Sequence, residues 1–215
     1  MAQHPELHHD TYDSNAAPNR PGYLLARRIS QIFHPILMNL LSFLIVGYAA
    51  LGTHSLGLMW AGICILALLL PPTLFYYFRM RQGAYSDEDV SVREQRNELY
   101  LFGFVWVAIA AVGLRFLGAP GPFLALVLCA LGIGLIGGVV NLFWKISAHA
   151  AAIGSVATIA LLYWQPLGVA LWLCALAVGW ARVRTRNHTP MQVLAGLASA
   201  TLVVLAAFSV TGLRG

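Results

Sequence analysis

Seven apolar runs dominate the chain, near residues 32–52, 57–78, 98–117, 122–144, 147–164, 166–182 and 190–212. A helix needs about 20 predominantly apolar residues to cross the hydrocarbon core of a bilayer. Inside lipid only helices and closed barrels satisfy their own backbone groups. None of the runs alternates as a barrel strand would, so helices are expected. Gly52-Thr53-His54, Ala119-Pro120-Gly121-Pro122 and Gln165-Pro166-Leu167-Gly168 supply turns between some of them. Only 10% of the 215 residues are charged, against roughly 25% in a soluble domain. The expected fold is all-α: a polytopic transmembrane helical bundle of about six to seven spans, with the short fifth and sixth runs deciding the count. Residues 31–215 are expected to form a single transmembrane domain.

Residues 1–30 are polar and hold Pro5, Pro18 and Pro21. They lack the apolar core of a cleavable signal peptide and read as a mobile N-terminal tail. His4, His8, His9 and Asp10 lie in that tail, where the surrounding composition argues for disorder over a metal site. Cys64, Cys129 and Cys174 each sit in mid-run apolar surroundings and read as small core residues, without disulfide or zinc spacing. His34-Pro35 in the first run signals a kink. Gly134 and Gly138 form a small-xxx-small pair suited to close helix packing.

Charge is costly at membrane depth and marks anchors or function. Three basic clusters stand at run boundaries: Arg93-Glu94-Gln95-Arg96-Asn97, Lys145-Ile146-Ser147-Ala148-His149, and Arg182-Val183-Arg184-Thr185-Arg186-Asn187-His188. With seven spans, the loops after the second, fourth and sixth share the face of the N-terminus, so the clusters converge by topology alone. Together they suggest one anion site, and the natural anion of a bilayer is a lipid phosphate. The opposite face carries only Arg115 and Arg214 as cations. Setting the cluster cations aside still leaves Arg20, Arg27, Arg28, Arg79 and Arg81 on the clustered face. The positive-inside rule therefore places that face and the N-terminus in the cytoplasm, for an integral protein of a bacterial inner membrane.

Arg182, followed by His188 six residues on and by Gln192 four further, resembles the third signature of the type 2 phosphatidic acid phosphatase superfamily, Ser-Arg-x5-His-x3-Asp. Ser147-Ala148-His149 is similar to the second, Pro-Ser-Gly-His, and Arg96-Asn97 falls where the first, Lys-x6-Arg-Pro, has its Arg-Pro. The resemblance covers residues 80 to 200 and is nearest to a divergent bacterial branch whose third signature reads His-Thr-x-x-Gln. Asp89 stands at the Lys position of the first signature and Asn97 at its Pro. Ile146 and Ala148 replace the Pro and Gly of the second, and Ala181 and Gln192 the outer Ser and Asp of the third.

The resemblance implies a metal-independent, cofactor-free lipid phosphatase acting on a prenyl (di)phosphate or a phosphatidate-type phosphomonoester. By that resemblance His188 attacks phosphorus and becomes a phosphohistidine, and His149 protonates the leaving alcohol. Arg182 and Arg96 hold the phosphoryl oxygens, with Arg93, Lys145 and Arg186 as additions. The cationic residues suit the chemistry because phosphoryl transfer spreads charge over equatorial oxygens, which arginine forks bind in pairs. Ser147 precedes a helix start whose backbone N–H groups attract phosphate.

Gln192 can accept an Nδ1–H hydrogen bond from His188 but supplies no charge; Asp87 and Asp89, with Glu88 and Glu94, are candidates to supply it from the first loop. A bundle of acidic residues at 87–89 could also hold a divalent cation, yet no second carboxylate motif completes an octahedral site. The expected partners are a lipid-phosphate substrate and the bilayer, with no nucleic acid. Two other outcomes stay open: transfer of the phosphoryl group to an alcohol, and a non-catalytic lipid-phosphate-binding relative.

The same residues have structural readings. Thr189-Pro190-Met191-Gln192 satisfies a capping box with proline at the first helical position. Ser91 and Glu94 fit the same pattern ahead of the third run. Arg184 reads as a cytoplasmic anchor.

Overall fold

The computed structural model describes residues 21–213. The metal-binding reading of His4, His8, His9 and Asp10, and the cations Arg20 and Arg214, lie outside the described residues. Among the described residues nine α-helices run in order: α1 (Tyr23–Ile32), α2 (Pro35–Ala49), α3 (His54–Cys64), α4 (Leu70–Arg81), α5 (Asn97–Phe116), α6 (Gly121–Asn141), α7 (Ala148–Tyr163), α8 (Gln165–Arg184) and α9 (Pro190–Thr211). A π-helical turn, Ile65–Leu69, joins α3 to α4, and a 3₁₀ turn, Arg93–Arg96, leads into α5. The protein is an all-α polytopic bundle. Six helical stretches among the described residues are long and apolar enough to span a membrane, and α7 is a shorter apolar seventh. Tyr23–Ile32, whose first eight residues fall within the mobile stretch expected over 1–30, is helical.

Proline accounts for both interruptions in the N-terminal half. His34 is extended (φ −62°, ψ 139°) and caps α2, its Nδ1 accepting the Ile36 N–H, while Pro35 occupies the first helical position. Pro71 has no N–H to give the Ala67 carbonyl four residues earlier. That carbonyl instead accepts from Trp106 Nε1 on α5 at 2.7 Å. The wider π turn just before the proline pair is the local adjustment to the broken ladder.

The short α7 is the axis of the bundle. Its 16 residues span about 24 Å at 1.5 Å per residue, less than the roughly 30 Å core. Ile153, Val156, Ala157 and Ala160 are fully buried, and α8, α9 and α2 surround it. A helix so rich in Ala and Gly admits close neighbours. The tightest approach sits at its N-terminus: a Cβ on Gly196 of α9 would lie 2.7 Å from the Ser147 carbonyl oxygen and 3.2 Å from Ala150 Cβ. Only glycine lets α9 come down onto the start of α7. Gly138 packs against Tyr100 of α5, whereas Gly134 borders open space.

The expected cap by Ser91 and Glu94 does not form. Asp87 organises that loop instead, its carboxylate accepting from the backbone N–H groups of Asp89 (2.9 Å) and Ser91 and from the Ser91 hydroxyl (3.0 Å). An Asp side chain folding onto the backbone two residues ahead is an Asx turn, and it competes with a cap four residues further on.

Candidate active site

The loops 82–92, 142–147 and 185–189 meet at one end of the bundle, as alternation of the spans requires. Lys145 Nζ donates to the Ser91 carbonyl at 3.0 Å, and Asn141 Nδ2 donates to the Arg93 carbonyl at 2.9 Å. The backbone N–H of Ser147 donates to the Gln192 carbonyl at 3.2 Å, fixing the start of α7 to the start of α9. These ties hold His149 and His188 in a common frame.

Ser147 caps α7, its hydroxyl accepting the Ala150 N–H at 3.3 Å, and this orients His149, the second residue of the helix. The His149 imidazole is buried, hydrogen-bonds the Ser30 backbone of α1, and lies edge-on to His34 with ring centroids 5.7 Å apart. Its Nε2 stands 3.8 Å from Asp89 Oδ1. His34 is a site residue that the motif pattern did not single out. Its one sequence signal was a histidine inside an apolar run ahead of a helix-breaking proline.

The capping box at α9 is present in full. Thr189 Oγ1 accepts the Gln192 N–H, and the Gln192 amide oxygen accepts the Thr189 N–H at 3.1 Å. The same amide oxygen lies 3.2 Å from His188 Nδ1. An oxygen that already accepts from a backbone N–H can only accept again, so Nδ1 carries the proton and Nε2 keeps its lone pair. The structural and functional readings of Gln192 are therefore one arrangement. Burial, followed by the Arg182, Lys145 and Arg96 cations, holds the His188 imidazole far below its ordinary value, and only the Gln192 hydrogen bond opposes them.

The arginines divide into two groups. Arg182 is 1% exposed and gives Nη1 to Asp89 Oδ2 at 3.1 Å, while its buried Nε and Nη2 have no hydrogen-bond partner among the described residues. Arg96 is also buried but spends its guanidinium on backbone: Nε on the Val90 carbonyl (2.7 Å), Nη2 on the Asp89 carbonyl (3.1 Å) and Nη1 on the Ile146 carbonyl (3.3 Å). Arg93 ties the end of α6 through the Asn141 and Leu142 carbonyls and pairs with Glu94 at 2.7 Å. Arg186 is exposed in the α8–α9 loop, with φ +58°. Arg184 anchors Pro21 through its carbonyl oxygen, at 2.9 Å from Nε. Among the described residues no group of three or more His, Cys, Asp or Glu is placed to hold a metal ion.

Two cavities share the site. A polar vestibule of about 1420 Å³ opens among the loops and α1. A mainly apolar cavity of about 440 Å³ runs into the bundle past Tyr100, Val107, Leu126 and Ile159. His34, Glu88, Asp89, His149 and His188 border both. Arg182, Lys145, Arg186, Asp87, Arg93 and Gln192 border the vestibule, and Arg96 the apolar cavity. Ser147 borders neither and is fully buried. Burial, then the Arg96 and Arg182 charges, pushes the Lys145 ammonium down from 10.5 to about 8, against the pull of Asp87 and Asp89.

No curated protein and no solved structure gave a significant match to this chain. Residues 141–215, which carry His149, Arg182, His188 and the three helices around them, match the family model described as PAP2 superfamily.

Proposed function

We propose that this protein is a membrane-embedded lipid phosphate phosphatase that works through a phosphohistidine at His188. The superfamily match supports a phosphatase acting on lipid phosphates in general terms. The observation that carries the finer reading is the junction of the two cavities. His34, Glu88, Asp89, His149 and His188 stand where a chamber lined mostly by polar side chains meets an apolar one, which is the division of an amphiphile into headgroup and tail.

His188 Nε2 attacks phosphorus while the P–O bond to the lipid alcohol breaks. His149 gives its proton to the departing oxygen. Water then gives a proton back to His149 and attacks the phosphohistidine, the N–P bond breaks, and inorganic phosphate leaves. The Nδ1–H bond to Gln192 spreads the positive charge that develops on the ring. Arg182 faces the phosphoryl oxygens with donors that no protein group satisfies, and Lys145 and Arg186 add positive potential in the vestibule. Arg96 acts on the backbone that carries Asp89, and Arg93, Ser147 and Asp87 hold loops in place. The steps require no metal. A prenyl (di)phosphate or a phosphatidate-type lipid supplies the substrate, with the active face turned to the cytoplasm of a bacterial inner membrane.

The test is phosphate release by the detergent-purified chain from phosphatidate, phosphatidylglycerophosphate and prenyl mono- and diphosphates, with EDTA present. We expect EDTA-resistant release from at least one lipid, lost in His188→Ala. Release that requires added magnesium overturns the mechanism. Phosphate that appears only on an added alcohol identifies a phosphotransferase instead.

A further inference from the structure

Asp89 stands where the superfamily's first signature has lysine, and its surroundings explain what a carboxylate does there. Its Oδ2 takes Arg182 Nη1 at 3.1 Å and the Asn187 side-chain amide, and its Oδ1 lies 3.8 Å from His149 Nε2. The two donors come from α8 and from the α8–α9 loop, and the neighbouring imidazole from α7. They converge on one carboxylate from three elements, and a phosphoryl group in this site needs the same set. Carboxylate and phosphate are both oxyanions that a guanidinium fork binds in pairs.

We infer that the Asp89 carboxylate is a resident stand-in for the phosphoryl group, which the substrate must displace from Arg182 in order to bind. The inference rests on the phosphatase reading of the same site and adds a specificity-determining residue to it. Asp89 uses one nitrogen of Arg182 and leaves Nε and Nη2 buried without partners. Three phosphoryl oxygens satisfy more of that guanidinium than two carboxylate oxygens do, so the exchange gains hydrogen bonds. The displaced carboxylate has somewhere to go, because Asp89 is 28% exposed and borders the vestibule.

The backbone supports the exchange. Val90, the next residue, sits at φ +47°, a left-handed conformation in which a β-branched side chain is strained. Such a residue persists only where its surroundings over-determine it. Here Arg96 grips the carbonyls of both Asp89 and Val90, and the Val90 side chain is buried. Release of Asp89 from Arg182 removes one of the contacts that hold this segment. Return of Asp89 after hydrolysis competes with inorganic phosphate for Arg182 and speeds product release.

The experiment measures binding of radiolabelled inorganic phosphate to the detergent-purified full-length chain. It compares wild type, Asp89→Asn, Asp89→Ala and the double variant Asp89→Asn/Arg182→Gln. Asparagine keeps the shape and one acceptor, so it decides the matter if the alanine variant does not fold. The expected result is phosphate bound at least about tenfold tighter by Asp89→Asn, with the gain lost in the double variant. Equal or weaker binding in Asp89→Asn overturns the inference and leaves Asp89 as a support for Arg182. Lipid phosphate release, run in parallel, separates the two readings. Tighter phosphate binding without turnover by any variant keeps the exchange and removes the phosphatase, and unchanged binding with turnover intact does the reverse.

Discussion

A neutral imidazole is a nucleophile and a charged one is not, so the burial of His188 bears directly on rate. Its ordinary titration near 6.5 is displaced far downward, and His188 therefore imposes no loss of activity as pH falls through that region. Lys145 behaves in the opposite way on the other side of neutrality. Below about 8 it keeps its proton and adds charge beside the phosphoryl site; above about 8 it is neutral. We expect kcat/KM to fall as pH rises through about 8, and Lys145→Ala to abolish that limb while lowering the plateau. A pH–rate profile with the limb unchanged in Lys145→Ala contradicts the assignment.

Gln192 allows a sharper test. Gln192→Glu keeps the capping box, since either residue completes it, and places a carboxylate on Nδ1–H. We expect a several-fold to roughly tenfold rise in kcat, on the scale of one pKa unit of added charge stabilisation. Gln192→Leu loses both bonds and is expected to cost about 1 kcal/mol of stability together with activity. Thermal unfolding measured beside kcat separates the two effects.

At the scale of the element, the site depends on how closely α9 meets α7. Gly196→Ala sets a methyl 2.7 Å from the Ser147 carbonyl oxygen, which α9 can relieve only by lifting. We expect a cost of about 1–3 kcal/mol and a fall in kcat near 10²-fold, because His188 moves relative to His149. Full activity with a lowered midpoint of unfolding counts against this coupling. In the other half, Trp106→Phe strands the Ala67 carbonyl and is expected to cost about 1–3 kcal/mol. Pro71→Ala restores a local N–H, so in a double-mutant cycle it should recover much of that loss.

Much of the helical architecture is legible in the sequence. The apolar runs gave the helices, and turn residues such as Pro120 and Pro166 gave their ends, because lipid leaves the backbone few choices. The meeting of His149, Arg182 and His188 at one end of the bundle was expected from the resemblance of their loops to the superfamily signatures. The role of Arg96 was not, since a cation in a loop reads the same whether it faces a phosphate or three carbonyls. Nor was the place of Asp89: nothing local in Ser86-Asp87-Glu88-Asp89 says that the first carboxylate folds onto its own backbone and the last reaches Arg182. The ordering of Tyr23–Ile32 was missed for a related reason. That helix is polar on average and is held by long-range partners, among them the Arg184 bond to the Pro21 carbonyl and the His149 bond to the Ser30 backbone.

For the whole molecule, the loops that carry the site share one face, and among the described residues Arg115 is the cation toward the other. The positive-inside reading makes the loop face cytoplasmic. Cysteine placed at Gln82 or at Thr53, in a background lacking Cys64, Cys129 and Cys174, tests it. A membrane-impermeant maleimide added outside intact cells should label the Thr53 position alone. Labelling of the Gln82 position instead places catalysis on the outer face.

The central claim is a covalent bond between His188 and phosphorus. Brief incubation with a ³²P-labelled lipid phosphate, an alkaline quench and peptide mapping test it most directly. The account predicts label on the peptide containing His188, stable in base and lost in acid, absent from His188→Ala and accumulating in His149→Ala only with substrates whose leaving group needs no proton. Turnover of the lipid with no labelled histidine at any time point, or label on a carboxylate of the 87–89 loop, contradicts it.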